Sequence, residues 1–404
     1  MATKAKTLEK PKAIANNTRS VNKADKLGSR NTSMDIIRIV AVFFVVSIHF
    51  FLNNGYYSEN HVGISMYIMC TMRTLFTACI PLFLILTGYL MSKKTLCKGY
   101  YLGLVRILLI YVMSSIACVL FKIKYVFLEI DFKTAVLELL SFKMAPYSWY
   151  IEMYIGLFLL IPFFNIMYNG LNTQKNKKAL LVTFFIISIL PTAFNIFSFT
   201  GEEVWYNPDT LASISKIFPD WWEMLYPFAF YFVGCYIREY GLKIKTPVAI
   251  ILLLVSIAGF GAFNFFRSYN TVFEDSKYIS WQGIEPFIMA VLIFTLLSRI
   301  KADKLPRWLR WILWKVSDSA LGIYLLSYIF DTMAYPILLS RVPVMTDRLK
   351  YYFVIVPVVF IGSMVLSLLL NIILKLLGFV AQQFKDIFAV LKSDTPQENT
   401  ENEN

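Results

Sequence analysis

The sequence is poor in charge and in histidine. Only 16% of its 404 residues are charged, against roughly 25% in a soluble domain, and it has two histidines, His49 and His61. Its five cysteines show no Cys-x-x-Cys spacing, so we expect no disulfide framework and no metal site. The apolar runs are continuous, and membrane β-strands would instead alternate polar and apolar residues. We also expect no nucleic-acid partner.

Long apolar runs dominate the rest of the chain, and 57% of the residues are hydrophobic. A bilayer core about 30 Å thick needs about 20 apolar residues in a helix. The sequence therefore predicts an all-α, polytopic transmembrane helical bundle of about ten helices that form one domain. The predicted spans are 34–53, 73–91, 101–121, 148–168, 179–199, 222–240, 246–266, 284–300, 317–338 and 351–377. The segment 122–147 could instead hold a re-entrant or interfacial helix.

Loop charge predicts the orientation, because cytoplasmic loops are enriched in lysine and arginine. With the N-terminus inside, the inner loops carry lysine and arginine with almost no acidic residues, and most outer loops are mixed or acidic. Only the last outer loop, with Arg341, Arg348 and Lys350, runs against this rule. We expect a basic cytoplasmic tail over 1–33, a membrane domain over 34–378 and an acidic cytoplasmic tail over 379–404, in a multi-pass membrane protein surrounded by lipid.

The first predicted helix carries ionisable residues where lipid-facing residues would be expected. Arg38 and His49 are eleven residues apart, about 16 Å along a helix and within about 20° of three full turns. Asp35 lies three residues before Arg38 and shares nearly the same side. The three residues therefore form one polar stripe, which should face the bundle interior or a hydrated cavity.

The stripe has a chemical interpretation as well as simpler ones. A histidine is a natural general base near neutral pH, and an arginine offers a fork for phosphate or carboxylate. A base on one side and an anion clamp on the other would suit acyl transfer across a membrane. Alternatively, Arg38 snorkels to the inner surface, Asp35 complements a helix dipole, and His49 is a buried, hydrogen-bonded histidine.

The Arg38-x10-His49 arrangement after Asp35 resembles the first-helix motif of the bacterial acyltransferase-3 family. These membrane O-acyltransferases modify cell-surface glycans. Further segments are similar in order and spacing, and the resemblance covers about 34–375. The similar segments are PLFLILTGYLMS (81–92), SWYIEMYIGLFLLIPFF (148–164), FYFVGCYIREY (230–240) and SDSALGIYLLSYIF (317–330).

The resemblance implies ten helices in the bacterial plasma membrane and an acyl-CoA donor, usually acetyl-CoA. It implies a sugar hydroxyl as acceptor, on a surface polysaccharide or its lipid-linked precursor. It also implies that Arg38 and His49 are essential, and we expect Asp35, beside them in the motif, to be catalytic together with them. Three features depart from the family. Ser327 replaces a family histidine, Gly103 and Arg106 replace a basic pair, and no hydrolase domain follows the membrane part.

Other ionisable residues are secondary candidates for substrate or donor binding. Arg73 could complete the site or anchor the second helix at the interface, and Arg106 could bind a donor phosphate or snorkel. Glu152 could pair with His49 or Arg73 and orient the base, and Asp331 is a similar, weaker candidate. We expect His61, in an outer loop, to be solvated.

Two other functions remain possible from the sequence. In a transporter or exporter of a glycan or lipid-linked glycan, the first-helix residues would be substrate or proton-relay groups. Paired glycine or proline interruptions would favour that function, and the prolines here show no repeat. A sensor or scaffold without turnover is the other alternative, which the polar stripe disfavours.

Overall fold

The computed structural model describes residues 30–127, 129–194, 218–273 and 279–393. These residues form an all-α bundle, and no strand occurs within the described ranges. The predicted all-α polytopic fold is confirmed. Most of the predicted tail over 1–33 lies outside the described residues. The last helix continues to Ser393, past the boundary expected at 378, and 394–404 are again outside them.

Thirteen main helices are described, with short 3₁₀ turns between some of them. The seventh continues through a π-helical turn, Phe185–Ile189, and one further α-helical turn, Leu190–Phe194. The helices are α1 Thr32–Asn53, α2 Gly63–Phe76, α3 Cys79–Met91, α4 Lys98–Tyr125, α5 Phe132–Leu140, α6 Trp149–Gly170, α7 Gln174–Phe184, α8 Tyr226–Tyr240, α9 Thr246–Arg267, α10 Ile284–Ser298, α11 Arg307–Asp318, α12 Ala320–Arg341 and α13 Tyr352–Ser393.

Eight helical stretches of the described chain are long and apolar enough to cross a membrane. They match eight of the ten predicted spans. The other two predicted spans, 222–240 and 284–300, correspond to α8 and α10, which have 15 residues each. A 15-residue helix is about 22 Å long, shorter than a bilayer core.

The second span begins earlier than predicted and is broken. The sequence predicted 73–91, whereas α2 starts at Gly63 and a kink at Thr77 and Ala78 separates it from α3. Pro81 explains the position of the kink. A proline has no backbone N–H to donate, and its ring clashes with the carbonyl four residues earlier, which here belongs to Thr77.

Two facing glycines hold α3 and α8 in close contact. A Cβ added at Gly88 would lie 1.9 Å from the carbonyl oxygen of Tyr231, and one added at Gly234 would lie 2.0 Å from that of Ile85. The obstructing atoms are backbone atoms, so no side-chain rotation can relieve the clash. Because α3 also lines the site described below, this contact fixes one wall of that site.

Gly234→Ala is therefore expected to destabilise the protein by about 1–3 kcal/mol, the usual cost of overpacking. Gly259, in α9, is the matched control, because a Cβ there would meet nothing within 4 Å. Gly259→Ala should be neutral or mildly stabilising, since alanine favours a helix. Thermal unfolding in detergent compares the two variants. An equal melting temperature for both would contradict the close-contact interpretation.

Helix α1 lies at the centre of the bundle. It contacts α2, α3, α10, α11, α12 and α13. Asn31 caps it by accepting a hydrogen bond from the backbone of Ser33, whose hydroxyl donates to the carbonyl of Ile300 at 2.6 Å. Because α1 is surrounded, its polar stripe faces other helices rather than lipid.

Candidate active site

The carboxylate of Asp35 is the centre of a buried cluster at the start of α1. Arg30 donates two hydrogen bonds to it, from Nε at 2.7 Å and from Nη2 at 2.6 Å. Ser317, at the end of α11, donates a third at 2.7 Å. Two parallel bonds from one guanidinium are the strong geometry for an arginine–carboxylate pair. Asp35 is therefore held in one position by three hydrogen bonds.

Arg38 contacts the same cluster more loosely. Its Nη1 donates to the Ser317 hydroxyl at 2.7 Å and lies 3.5 Å from Asp35 Oδ1. Its side chain keeps 26% of its surface exposed, while Asp35 keeps 3%. Since a guanidinium has five N–H donors, Arg38 keeps donors for an anion while Asp35 and Ser317 set its position.

A cavity of about 530 Å³ begins at this cluster. Its volume lies within the range of ordinary ligand sites. Three arginines line one end of this main cavity, namely Arg30, Arg38 and Arg106. Arg106, on α4, pairs with Asp318 at 2.9 Å and is largely exposed. Asp35 and Asp318 line the main cavity as well, so three arginines and two carboxylates give its mouth a net positive charge.

The other end of the main cavity is apolar and aromatic. Residues of α1, α3, α6 and α12 line it, among them Val45, Ile80, Tyr150 and Tyr324. His49 lies one turn beyond Val45 on α1, about 6 Å further along the axis. The cavity thus runs from the arginines almost to the histidine.

His49 is buried between α1, α12 and the segment that precedes α6. Its Nδ1 lies 3.3 Å from the Ser327 hydroxyl and 3.5 Å from Asp331 Oδ2. The Tyr147 ring lies against the imidazole, tilted by 31° at a centroid distance of 3.8 Å. A carboxylate beside Nδ1 favours the proton on that nitrogen, which leaves Nε2 as the acceptor.

Asp331 is held in turn by Tyr147, whose hydroxyl donates to Oδ2 at 3.1 Å. The other oxygen, Oδ1, is buried and has no hydrogen-bond partner among the described residues. Asn53 donates to the Tyr147 hydroxyl at 3.3 Å and to the carbonyl of His49 at 2.8 Å. His49, Asp331 and Tyr147 therefore form one connected unit.

The structure separates the predicted secondary candidates. Arg106 lines the mouth of the main cavity, and Asp331 lies beside His49. Glu152 is exposed on α6, so the carboxylate next to His49 is Asp331 and not Glu152. Glu152 lies in the first turn of α6, where a carboxylate complements the helix dipole.

Arg73 belongs to a different buried cluster. Its Nε donates to the Tyr57 hydroxyl at 3.1 Å, and its guanidinium lies 4.4 Å from the centroid of Phe273. His61 is also in this cluster. The expectation that it is solvated is wrong, because it is fully buried and its backbone bonds to Thr271 and Asn270. Burial lowers the pKa of His61 to about 4.

Two residues of the site were not singled out as candidates from the sequence. Ser317 and Tyr147 are an ordinary serine and an ordinary aromatic residue, and their partners are 282 and 184 residues away. Ser327, known from the sequence only as a departure from a family histidine, lies directly beside His49. The described residues contain no group of three or more histidine, cysteine, aspartate or glutamate side chains that could hold a metal ion.

The arrangement combines a cationic mouth, an apolar passage and a buried histidine next to the end of that passage. Such a site suits a long amphiphilic substrate with an anionic head and a reactive group about 16 Å from it. The acyltransferase-3 family model, described as "Acyltransferase domain", matches residues 31–375. No curated protein and no solved structure matches the chain.

Proposed function

The chain belongs to the acyltransferase-3 family, and we propose that it transfers an acyl group, acetyl in the first instance, from cytoplasmic acyl-CoA to a sugar hydroxyl. The proposed acceptor is a cell-surface polysaccharide or its lipid-linked precursor, at a bacterial plasma membrane. The observation that carries this proposal is the main cavity, which joins the arginine cluster to within one helical turn of His49.

The shape of the main cavity supports acyl-CoA as the donor. The phosphates of acyl-CoA require cations, which Arg38 and Arg106 supply at the mouth of the main cavity. The pantetheine arm of acyl-CoA is long and uncharged. It suits the passage past Val45 and Tyr324, which is lined by apolar and aromatic side chains. In this arrangement the thioester reaches the deep end, next to His49. The oxygens of Asp35 are engaged by Arg30 and Ser317, so its role in this proposal is to position Arg38.

The proposed reaction uses His49 as a general base. The sugar hydroxyl attacks the thioester carbonyl carbon while His49 Nε2 takes its proton. The carbon–sulfur bond breaks, and the departing CoA thiolate takes that proton from the imidazolium to leave as free CoA. Asp331 is a positioning residue that holds the proton on Nδ1 and stabilises the imidazolium, as the carboxylate of a catalytic triad does.

The depth of His49 supports an acceptor that arrives from the outside. It lies 17 residues after the start of α1, about 25 Å along an axis that crosses a bilayer core about 30 Å thick. With the predicted N-in orientation, the base is close to the outer surface and the arginines are at the inner one. The donor and the acceptor can then meet without either crossing the whole membrane.

The direct test combines a gene deletion with a defined reaction. We expect the surface glycan of the deletion strain to lose its O-acetyl signals in NMR spectra and to regain them on complementation. Purified protein in liposomes should transfer label from radioactive acetyl-CoA to glycan taken from the deletion strain. A glycan that keeps its acyl groups but is shortened or not exported would support the exporter alternative instead.

A further inference from the structure

A second cavity lies on the side of the bundle, between α7, α8 and α10. It has a volume of about 480 Å³. We name it the lateral groove, and define it by six of its lining residues: Lys178, Leu181, Phe185, Val233, Lys243 and Phe287. None of the residues that line it also lines the main cavity. Whatever binds in the lateral groove therefore does not occupy the proposed donor site.

One end of the lateral groove is polar and cationic. Lys178 projects from the first turns of α7, and Lys243 follows the end of α8. Neither lysine has an ion-pair partner within the described ranges. The adjacent Lys177 differs, because both carboxylate oxygens of Glu239 accept from it at 2.7 Å. Lys178 and Lys243 thus place two uncompensated positive charges at this end of the lateral groove.

The remainder of the lateral groove is apolar. Leu181, Phe185, Val233 and Phe287 line it, and it runs along α7 from Gln174 to Phe185. That distance is about 16 Å, close to the thickness of one leaflet, which is half of a hydrocarbon core of about 30 Å. The groove therefore has the dimensions and the polarity of a single lipid in one leaflet, with its head at the helix ends.

The deep end of the lateral groove coincides with irregular backbone. The π-helical turn Phe185–Ile189 starts there, and π-helical turns inside helices are frequent at functional sites. The extra residue of such a turn widens the helix locally. The opposite wall is rigid, because α8 is locked against α3 through Gly88 and Gly234.

We propose that the lateral groove is a binding site for one anionic phospholipid of the inner leaflet. Its phosphate lies between Lys178 and Lys243, and one acyl chain lies along Leu181, Val233 and Phe287. A zwitterionic lipid would fit the apolar part equally well and would gain less from the two lysines. The site therefore selects by head-group charge. This inference does not depend on the proposed acyl transfer.

A charge-matched pair of variants tests the head-group contact. Lys178→Gln/Lys243→Gln removes the two groove lysines. Lys175→Gln/Lys245→Gln removes two exposed lysines that do not line the groove, one in the first turn of α7 and one between α8 and α9. Each protein is reconstituted in vesicles of equimolar phosphatidylglycerol and phosphatidylcholine. After extraction with mild detergent, the retained lipids are counted by native mass spectrometry.

We expect the wild type and the Lys175→Gln/Lys245→Gln control to retain one phosphatidylglycerol. The groove variant should lose its preference over phosphatidylcholine by about 30-fold, as the loss of two lysine contacts implies. Equal losses in both double variants would mean diffuse surface attraction and would overturn the site. Retention of a polyprenyl phosphate in preference to phosphatidylglycerol, when both are supplied, would overturn the assignment to a phospholipid.

A second variant tests the chain-binding part. Val233→Trp fills the middle of the lateral groove without altering its charge, so it should abolish retention of both lipids. Wild-type retention in a Val233→Trp protein with an unchanged melting temperature would show that the lipid binds elsewhere. The surface lysine variants involve no buried position, so they test the proposal even if Val233→Trp fails to fold.

Discussion

His49→Ala is expected to abolish most of the transfer activity. A positioned general base contributes about 10²–10⁴-fold to a rate, and the described site offers no second imidazole near the deep end of the main cavity. The fall should be in kcat, with little change in the KM for acyl-CoA, because the proposed phosphate site at Arg38 lies about 16 Å away. Steady-state assays with purified protein in liposomes measure both constants.

Two companion variants make this result interpretable. Leu52→Ala changes an exposed residue on the same helix, three positions beyond His49, and should leave activity unchanged. Asp331→Asn keeps the size of the side chain but removes the charge beside Nδ1. It should lower kcat by at least about tenfold and by less than His49→Ala does. Full activity of a folded His49→Ala protein would refute the assignment of the base.

Arg38→Gln is expected to weaken the binding of acyl-CoA and not the chemical step. A hydrogen bond to a charged group contributes about 1.5–3 kcal/mol, so the KM should rise roughly tenfold to 150-fold. Folding should survive, because Asp35 keeps its two bonds from Arg30 and its bond from Ser317. The removal of Arg38 therefore does not leave a buried carboxylate unpaired.

A truncated donor separates this explanation from a structural one. Acetyl-pantetheine carries the thioester but not the phosphates of CoA. With this donor, Arg38→Gln and the wild type should have equal kcat/KM, since the contact that the variant loses is absent in both. Arg106→Gln, at the mouth of the main cavity, is the variant to compare with Arg38→Gln. It should raise the KM for acetyl-CoA by less, because Arg106 is 62% exposed. An equal loss with both donors would contradict phosphate binding by Arg38.

The sequence predicted the bundle and the polar stripe because both depend on local spacing. Apolar runs define spans through bilayer thickness, and the position of Asp35, Arg38 and His49 on one face follows from helical geometry. The break between α2 and α3 could also have been predicted, since Pro81 sets its position. The prediction missed it because the hydrophobic run continues across the break.

The partners of the stripe could not be predicted in the same way. Asp331 and Glu152 are both carboxylates on predicted helices, and only the way in which the helices pack decides which one meets His49. Packing brings α12 against α1, so Asp331 reaches the imidazole and Glu152 is exposed. The burial of His61 could not be predicted for the same reason, because it depends on tertiary contacts of its ring with Tyr56 and Phe273.

The cluster at the start of α1 also bears on how the protein enters the membrane during synthesis. Chains emerge from the N-terminal end, and Ser317 is made 282 residues after Asp35. The two arginines that compensate Asp35 are only five and three residues away from it. Arg30 and Arg38 therefore compensate the charge of Asp35 as soon as this segment has left the ribosome. Helix α1 can then partition into lipid long before the helices that complete the site have been synthesised.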